Sequence, residues 1–472
     1  MVDKIVLLSL DTLRSDGLAS DPSPLWPGKY PRLRRGRSTS LLDELIGRSA
    51  YFPHCISAAP YTSASHASFF TGLWPLHHGV FEIFNRRLAR DTIFSAGKKL
   101  GYETVLKVDF PVILGRHLGF DRDIDRYLVE EDEVFLDYVE AADRVVACAH
   151  FGGIHIPYGF HNLRFGGPTY RQRVKELEDE IGAPYEPPGD QLVETYRDPA
   201  DLDLLHRYKR VVQHYYAGGD YDKLFGLYLE GIDHFLHERF EAFLARLLDI
   251  CRRSNALLVV FADHGEEYDA DSYGHHNSLS EGVLRVPLII HAPDVRPAVH
   301  DTRIRSIDLV PTLLDRLGHP GLLGPLDGES LHGSVWGDAG YPARMCIAQA
   351  YTSDTAEFVA HQAQMLRHGM HEATLRHVLY KEAVYLGAHK LVRQNYEYSE
   401  AGGIYGLRES PRPDRLFEQD ADGRWQATRD TVPAGALLQA LERYNGSAGT
   451  ACDSIRVESS VRRSLQDMGY RI

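Results

Sequence analysis

The sequence has little of what a disulfide-stabilised, membrane-spanning or nucleic-acid-binding protein needs. Its 472 residues include only five cysteines, scattered and without a Cys-x-x-Cys pair, which disfavours a disulfide framework and a cysteine-ligated zinc site. The net charge of −14 argues against binding a nucleic-acid backbone. No apolar run reaches the roughly 18 residues of a membrane span. We therefore expect a reduced, cytoplasmic globular protein with no nucleic-acid polymer and no membrane as partner.

Two short apolar runs end at aspartates. Residues 5–10 stop at Asp11, and residues 256–262 stop at Asp263. The first run is too short for a signal peptide and has no cleavage site after it. Continuous apolar runs are typical of strands covered on both faces, and ligands bind beyond the carboxyl ends of such strands. Each aspartate could instead cap the next helix or turn, but two together favour a site.

The alternation of strand and helix patterns predicts an α/β fold with a doubly wound, mostly parallel sheet. Further strands are expected at residues 103–108 and 145–149, and helices at residues 91–100 and 239–253. We expect a catalytic domain over residues 1–345 and a smaller C-terminal α+β part over residues 346–472. Residues 160–225, rich in Tyr, Arg, Pro and Gly, predict an insertion near the site. Its arginines and tyrosines could bind substrate or form a solvated helix face with buried rings.

Several segments along the chain supply hydroxyl, carboxylate and imidazole groups that could form a site. Thr62 precedes a short helical pattern, and a hydroxyl at a helix N-terminus suits a nucleophile, although an N-cap is the alternative. Asp233 and His237 share a helix face at i, i+4 spacing and could equally be a surface pair. Together the segments supply six ligand candidates, enough for two divalent ions with about three ligands each. The candidates are Asp11, Asp233, His237, Asp263, His264 and one of His275 or His276.

Seven segments in order resemble the alkaline phosphatase/sulfatase superfamily, in its sulfatase-like and phosphodiesterase branches. Residues 59–80 resemble the sulfatase signature, in which Cys or Ser stands at Thr62, Pro at Ala64 and Arg at His66. The other six segments are residues 9–18, 155–158, 261–267, 274–290, 305–318 and 327–331. The resemblance covers most of the chain and implies an alkaline phosphatase-like fold.

The threonine moves the expected chemistry away from sulfatases. Sulfatases convert their Cys or Ser to formylglycine, whereas oxidation of threonine would give a ketone. An unmodified Thr and an Asp-x-x-x-His pair resemble the nucleotide pyrophosphatase/phosphodiesterases. That resemblance implies that Thr62 is the nucleophile and that Asn85 holds a phosphoryl oxygen. His155 either hydrogen-bonds the leaving group or is structural.

The resemblance also divides the ligands between two divalent metal ions, with zinc expected first and manganese as the alternative. One ion is assigned to Asp11, Asp263 and His264 and activates Thr62. The other is assigned to Asp233, His237 and His275, which we prefer to His276 because it follows a glycine as in the family pattern.

The function expected from these residues is that of a hydrolase acting on ester bonds. We predict a phosphodiesterase that works through a phosphothreonine intermediate on a small-molecule phosphoester. A phosphomonoesterase and a phosphonate or sulfate ester hydrolase are the alternatives. The non-enzymatic alternative is a metal-dependent anion-binding module. The oligomeric state, including a homo-oligomer, stays open.

Overall fold

A large, mostly parallel sheet forms the centre of the molecule. The computed structural model describes residues 2–447 except 26–28, 31–35, 82–86, 112, 157, 159–162, 183–198, 271, 276–277, 354–376, 402–403, 421–422 and 430–432. The main sheet has nine strands in the order β10-β2-β9-β6-β1-β5-β3-β4, with β11 paired to β2. Its strands are β1 Lys4–Leu10, β2 Ala50–Ile56, β3 Glu103–Val108, β4 Arg126–Val129, β5 Val145–Phe151, β6 Ala256–Phe261, β9 Arg285–His291, β10 Ala298–Val299 and β11 Ile304–Arg305, and the short hairpin β7 Glu267–Asp269 with β8 Ser272–Gly274 lies outside it.

Helices connect the strands of this sheet, as the alternating sequence pattern predicted. They are α1 Ser40–Gly47, α2 Thr62–Thr71, α3 Pro75–His78, α4 Ile93–Lys99, α5 Asp132–Ala141, α6 Leu163–Ile181, α7 Pro199–Ala217, α8 Tyr221–Phe235, α9 Glu241–Arg252, α10 Glu281–Leu284, α11 Leu309–Arg316 and α12 His332–Val335. None of the helices in the described part of the chain combines the length and apolar character that crossing a membrane requires.

The centre of the sheet brings together strands that are distant in sequence. Strand β1 pairs in parallel with β5 on one side and β6 on the other. All three strands are buried along their whole length, because helices cover both faces. The strands predicted from apolar runs are present, and the α/β fold class is confirmed. The sheet is not wholly parallel, since β9 runs antiparallel to β2 and β6.

A separate antiparallel sheet lies in the C-terminal part. It has the order β12-β13-β14-β17-β18 and begins at Cys346. Its strands are β12 Cys346–Ser353, β13 His377–Leu386, β14 His389–Gln394, β17 Arg415–Gln419 and β18 Trp425–Ala427, and the hairpin β15 Tyr396–Ala401 with β16 Ile404–Glu409 stands beside it. The last helix, α13 Ala434–Ser447, packs Leu437 and Leu441 against Val384 and Leu391 of this sheet. The division into two domains at residue 345 stays a prediction.

The described part of the predicted insertion consists mainly of helices α6 and α7. Tyr208 and Tyr215 of α7 are buried. Arg173 of α6 is held by both carboxylate oxygens of Glu230, at 2.6 and 2.8 Å. These contacts favour the structural alternative for these residues, in which the rings are buried and the arginine is paired.

Candidate metal and nucleophile site

Two aspartates and a histidine meet at the carboxyl edge of the main sheet. Asp11 follows β1 and Asp263 lies two residues beyond β6, and parallel pairing of Ser9 with Phe261 brings the two strand ends together. The backbone amide of Asp11 also donates to Phe151 O, at 3.0 Å. Candidate ligand atoms of Asp11, Asp263 and His264 all lie within 4.8 Å of one another, and all three side chains are buried. The acids predicted at strand ends therefore share one site.

Each carboxylate of this group has one oxygen that is held and one that is not. Asp263 Oδ1 accepts from the backbone amides of His264, at 2.9 Å, and Thr12, at 3.3 Å. Asp11 Oδ2 lies 3.2 Å from His150 Nε2. The other two oxygens, Asp11 Oδ1 and Asp263 Oδ2, are buried without a hydrogen-bond partner among the described residues. These two oxygens lie 3.6 and 3.4 Å from His264 Nε2.

The tautomer of His264 completes this donor set. Its Nδ1 lies 3.1 Å from Gly265 O, which can only accept, so Nδ1 carries the proton and Nε2 presents a lone pair. Two unpartnered carboxylate oxygens buried side by side are costly unless a cation lies between them. With the imidazole nitrogen they fit one divalent ion, and the set suits Zn²⁺ and Mn²⁺. Burial raises the pKa of Asp11 to about 6, although the nearby His264 opposes this rise.

Thr62 presents its hydroxyl to this group. It is the first residue of α2, the N-cap position is Tyr61, and the side chain is buried. Thr62 Oγ1 lies 3.1 Å from His264 Nε2, which accepts its proton in the tautomer described above. The structure therefore does not use Thr62 as an N-cap. Its hydroxyl lies among the candidate ligands, at a helix N-terminus with positive potential.

His275 and His155 lie at the edge of the same site. The His275 ring is 4.3 Å from the His264 ring and 5.1 Å from the His155 ring, measured between centroids. His275 Nδ1 lies 3.1 Å from Oε1 of Glu266, a buried acid. Burial and the neighbouring Asp11 raise the pKa of Glu266 well above its usual value. The structure thus brings both histidines beside the Asp11, Asp263 and His264 group.

The comparisons with known proteins agree with this architecture. The Sulfatase family model matches residues 194–319, which include Asp263 and His264. The matched segment is similar to sulfatases, which are ester hydrolases. The resemblance inferred from the sequence is thereby confirmed, and an ester hydrolase is supported. No curated protein matches the sequence.

Solved structures similar to this chain include hydrolases of two kinds. One is a 2-O GAG sulfatase, with 15% identity and a TM-score of 0.55 over 99% of this chain and 94% of the other. A phosphonate monoester hydrolase from Silicibacter pomeroyi has 16% identity and a TM-score of 0.57 over 97% and 100%. Another from Agrobacterium radiobacter has 15% identity and a TM-score of 0.54 over 94% and 95%. At these identities the likeness establishes the fold alone.

The structure does not bring Asp233 and His237 into the metal group. Asp233 lies near the end of α8, and His237 lies in the π-helical turn Leu236–Phe240 that follows. Their side chains are 51% and 49% exposed, and His237 Nδ1 lies 3.7 Å from Asp233 Oδ1. Among the described residues, one group of three ligand candidates lies together, and this pair is not in it. The geometry supports one metal site, and the pair has the character of a surface contact. Asn85 and His276 lie outside the described residues.

Two histidines next to the site, His66 and His150, were not predicted from the sequence as site residues. His66 Nδ1 donates to Thr62 O at 2.8 Å, so its Nε2 accepts from Ser9 Oγ, also at 2.8 Å. His150 contacts Asp11 Oδ2 as described above. Burial lowers the pKa of both histidines to about 4, so both are neutral near pH 7. The available signals were a histidine at the signature's arginine position and a histidine within an apolar strand.

The position of Lys107 near the end of a predicted strand favours a solvated side chain over a phosphate-binding one, but the structure buries this lysine. It is fully buried on β3, where Nζ lies 2.6 Å from Asp109 Oδ1 and 2.7 Å from Asp132 Oδ1. Asp109 also binds Arg239, at 2.7 Å. Burial alone would raise the pKa of Asp109, but Lys107 and Arg239 outweigh it and lower that pKa. The lysine is therefore part of a buried ion-pair network next to the site.

Proposed function

We propose that this protein is a metal-dependent hydrolase of phosphodiesters or phosphonate monoesters, with Thr62 as its nucleophile. The observation that carries the proposal is the 3.1 Å contact between Thr62 Oγ1 and His264 Nε2, beside the two unpartnered carboxylate oxygens. A nucleophilic hydroxyl beside a cation site within one buried group is an arrangement suited to ester hydrolysis.

The threonine disfavours a sulfatase mechanism that depends on formylglycine. Its Cβ carries a methyl group, so oxidation would produce a ketone and not the aldehyde that becomes the hydrated nucleophile. An unmodified hydroxyl can still attack phosphorus directly. This preference for phosphorus agrees with the phosphonate monoester hydrolases among the structural neighbours, whose fold this chain shares.

The charge around the site favours an ester with a single negative charge. Among the described residues, two cations on the segments that carry the site are already engaged, because Arg14 binds Asp16 and Glu267, and Lys107 binds Asp109. Phosphodiesters and phosphonate monoesters carry one charge on the reacting group, whereas phosphate monoesters carry nearly two at neutral pH. A dianion would require additional unpaired cations to offset its desolvation.

The chain's own residues can perform the two displacements as follows. Thr62 Oγ1 attacks phosphorus and its proton passes to water, because the lone pair of His264 Nε2 is assigned to the metal ion. The bond from phosphorus to the leaving oxygen then breaks. His275, whose ring lies beside that of His264, and His155, whose ring lies beside that of His275, are the candidates to supply a proton to that oxygen. Water then attacks phosphorus, the bond to Oγ1 breaks, and the threonine hydroxyl is restored.

Amides at the start of α2 are oriented to bind the non-bridging oxygens, where negative charge accumulates. A divalent ion held by Asp11, Asp263 and His264 would supply charge neutralisation and would lower the pKa of a hydroxyl bound to it.

A panel of four nitrophenyl esters tests this proposal. The protein loaded with Zn²⁺, and separately with Mn²⁺, is assayed with bis-p-nitrophenyl phosphate, p-nitrophenyl phenylphosphonate, p-nitrophenyl phosphate and p-nitrophenyl sulfate. We expect kcat/KM for the diester or the phosphonate to exceed that for the monoester and the sulfate by at least about tenfold, about 1.4 kcal/mol in transition-state stabilisation. A higher value for the sulfate or the monoester contradicts the proposed substrate class. Metal binding without turnover of any ester would support the anion-binding module.

A further inference from the structure

We propose that His150 is a positioning residue that holds Asp11 Oδ2 and thereby presents Asp11 Oδ1 to the metal ion. This inference rests on the metal site of the proposed function and deepens it. It concerns a residue that is not one of the three candidate metal ligands.

The protonation of His150 follows from its two ring nitrogens. Nε2 lies 3.2 Å from Asp11 Oδ2, and Nδ1 is buried without a hydrogen-bond partner among the described residues. An ionised carboxylate only accepts hydrogen bonds, so Nε2 must carry the proton and donate it. The unpartnered Nδ1 is then a bare acceptor, which is less costly to bury than an unpartnered N–H donor would be. The neutral ring therefore has one available tautomer, and that tautomer points its proton at Asp11.

The backbone around His150 is fixed on both sides. His150 pairs with Ser9 in the parallel register of β1 and β5, two residues before Asp11. Lys107 Nζ, fully buried, donates to His150 O at 3.2 Å and is itself held by Asp109. The imidazole is thus carried by the rigid centre of the sheet and supported by the buried ion-pair network. This gives that network a defined role near the site.

The consequence concerns the orientation of the Asp11 carboxylate. With Oδ2 held by His150, Oδ1 is the oxygen that lies 3.6 Å from His264 Nε2. Asp263 achieves the same result differently, because backbone amides hold its Oδ1. Without the His150 proton, Asp11 could rotate and its buried Oδ2 would lose this hydrogen-bond donor. Removal of a residue that orients a metal ligand typically costs about 10- to 100-fold in metal affinity.

Three substitutions of His150 separate this role from a packing role. In His150→Gln the amide nitrogen can reach the position of Nε2 and retains a donor. In His150→Asn the amide reaches only the position of Nδ1, and in His150→Phe the ring volume is kept without a donor. Val146→Ala, buried on the same strand, is the matched control for loss of packing.

The readout is Zn²⁺ affinity of the metal-free proteins, measured by competition with a chromogenic chelator, together with thermal unfolding without metal. We expect His150→Phe and His150→Asn to bind Zn²⁺ about 10- to 100-fold more weakly than the wild type, with His150→Gln and Val146→Ala within about threefold. If the phenylalanine variant does not fold, the Asn and Gln pair carries the comparison. Wild-type affinity in His150→Asn, or equal losses in all four variants, overturns the inference while leaving the proposed function intact. Absence of Zn²⁺ and Mn²⁺ binding in the wild type overturns both.

Discussion

Replacement of Thr62 by valine is the most direct test of the nucleophile. Valine has nearly the same shape, so no cavity forms at this buried position, and the change removes only the hydroxyl. In the metal-free protein, His264 Nε2 loses its 3.1 Å partner, which costs about 1 to 3 kcal/mol of stability. The candidate metal ligands Asp11, Asp263 and His264 are unchanged, so the variant should still bind one divalent ion.

The effect on catalysis should be far larger than the effect on stability. If Thr62 Oγ1 forms the bond to phosphorus, its removal eliminates the covalent route, and we expect kcat to fall by about 10⁴-fold or more, equivalent to about 5.4 kcal/mol. Thr62→Ser keeps the hydroxyl at the first position of α2 and is the matched control. We expect it to retain activity within about tenfold, because it loses only a methyl group.

The assay combines turnover of bis-p-nitrophenyl phosphate with metal content and rapid-quench detection of a phosphorylated protein. A phosphothreonine should be trapped in the wild type and be absent in Thr62→Val. If the metal-loaded valine variant keeps more than about one hundredth of wild-type kcat, which corresponds to a loss of less than about 2.7 kcal/mol, the covalent mechanism is refuted. Water would then be the attacking group, and Thr62 would have a binding role.

Two further predictions concern the framework of the site. In Gly265→Ala a Cβ would lie 2.1 Å from Gly282 O, so the loop after His264 must shift, and we expect at least about a tenfold loss of kcat/KM and a lower Tm. The control is Gly321→Ala, where the Cβ would have no atom within 4 Å and both quantities should be unchanged. Equal behaviour of the two variants contradicts the reasoning. Burial alone would raise the pKa of Asp16, but Arg14 outweighs it and lowers that pKa from 3.8 to about 2. This stabilisation of the folded state, about 2 kcal/mol, is present above pH 3.8 and lost as the pH falls through about 2. The difference in unfolding free energy between wild type and Asp16→Asn should therefore narrow by about 2 kcal/mol as the pH falls from 3.8 through about 2. A difference that stays constant with pH would contradict the assignment.

The sequence predicted the sheet well because its central strands carry their own signal. Strands buried on both faces must be apolar throughout, and the run at residues 256–262 corresponds to β6 within one residue. Asp11 and Asp263 were recognised for the same reason, as the points at which such runs end. The sequence also shows directly that a threonine stands at the signature position, and this residue indicated the departure from sulfatase chemistry.

The same pattern rules failed for side chains whose surroundings are set by distant segments. An i, i+4 pair is compatible both with a metal site and with a helix surface. The packing of α8 and of the π-helical turn after it leaves Asp233 and His237 half exposed, which the sequence pattern does not show. Lys107 looked like a solvated residue near a strand end, yet Asp109, Asp132 and Arg239 make its burial tolerable. Local sequence does not report such long-range ion pairs.

The sequence by itself determined the chemical inventory of this protein: acids at strand ends, histidines beside them and a threonine at a helix start. Only the tertiary structure decided which of these groups meet. Parallel pairing of β1 with β6 brought Asp11 next to Asp263. Contacts from His150, Thr12 and His264 hold one oxygen of each carboxylate, and the other oxygen has no hydrogen-bond partner in the described part of the chain. Hydrogen bonds of this kind depend on atomic positions that converge from separate strands, so they become defined only when the sheet is assembled.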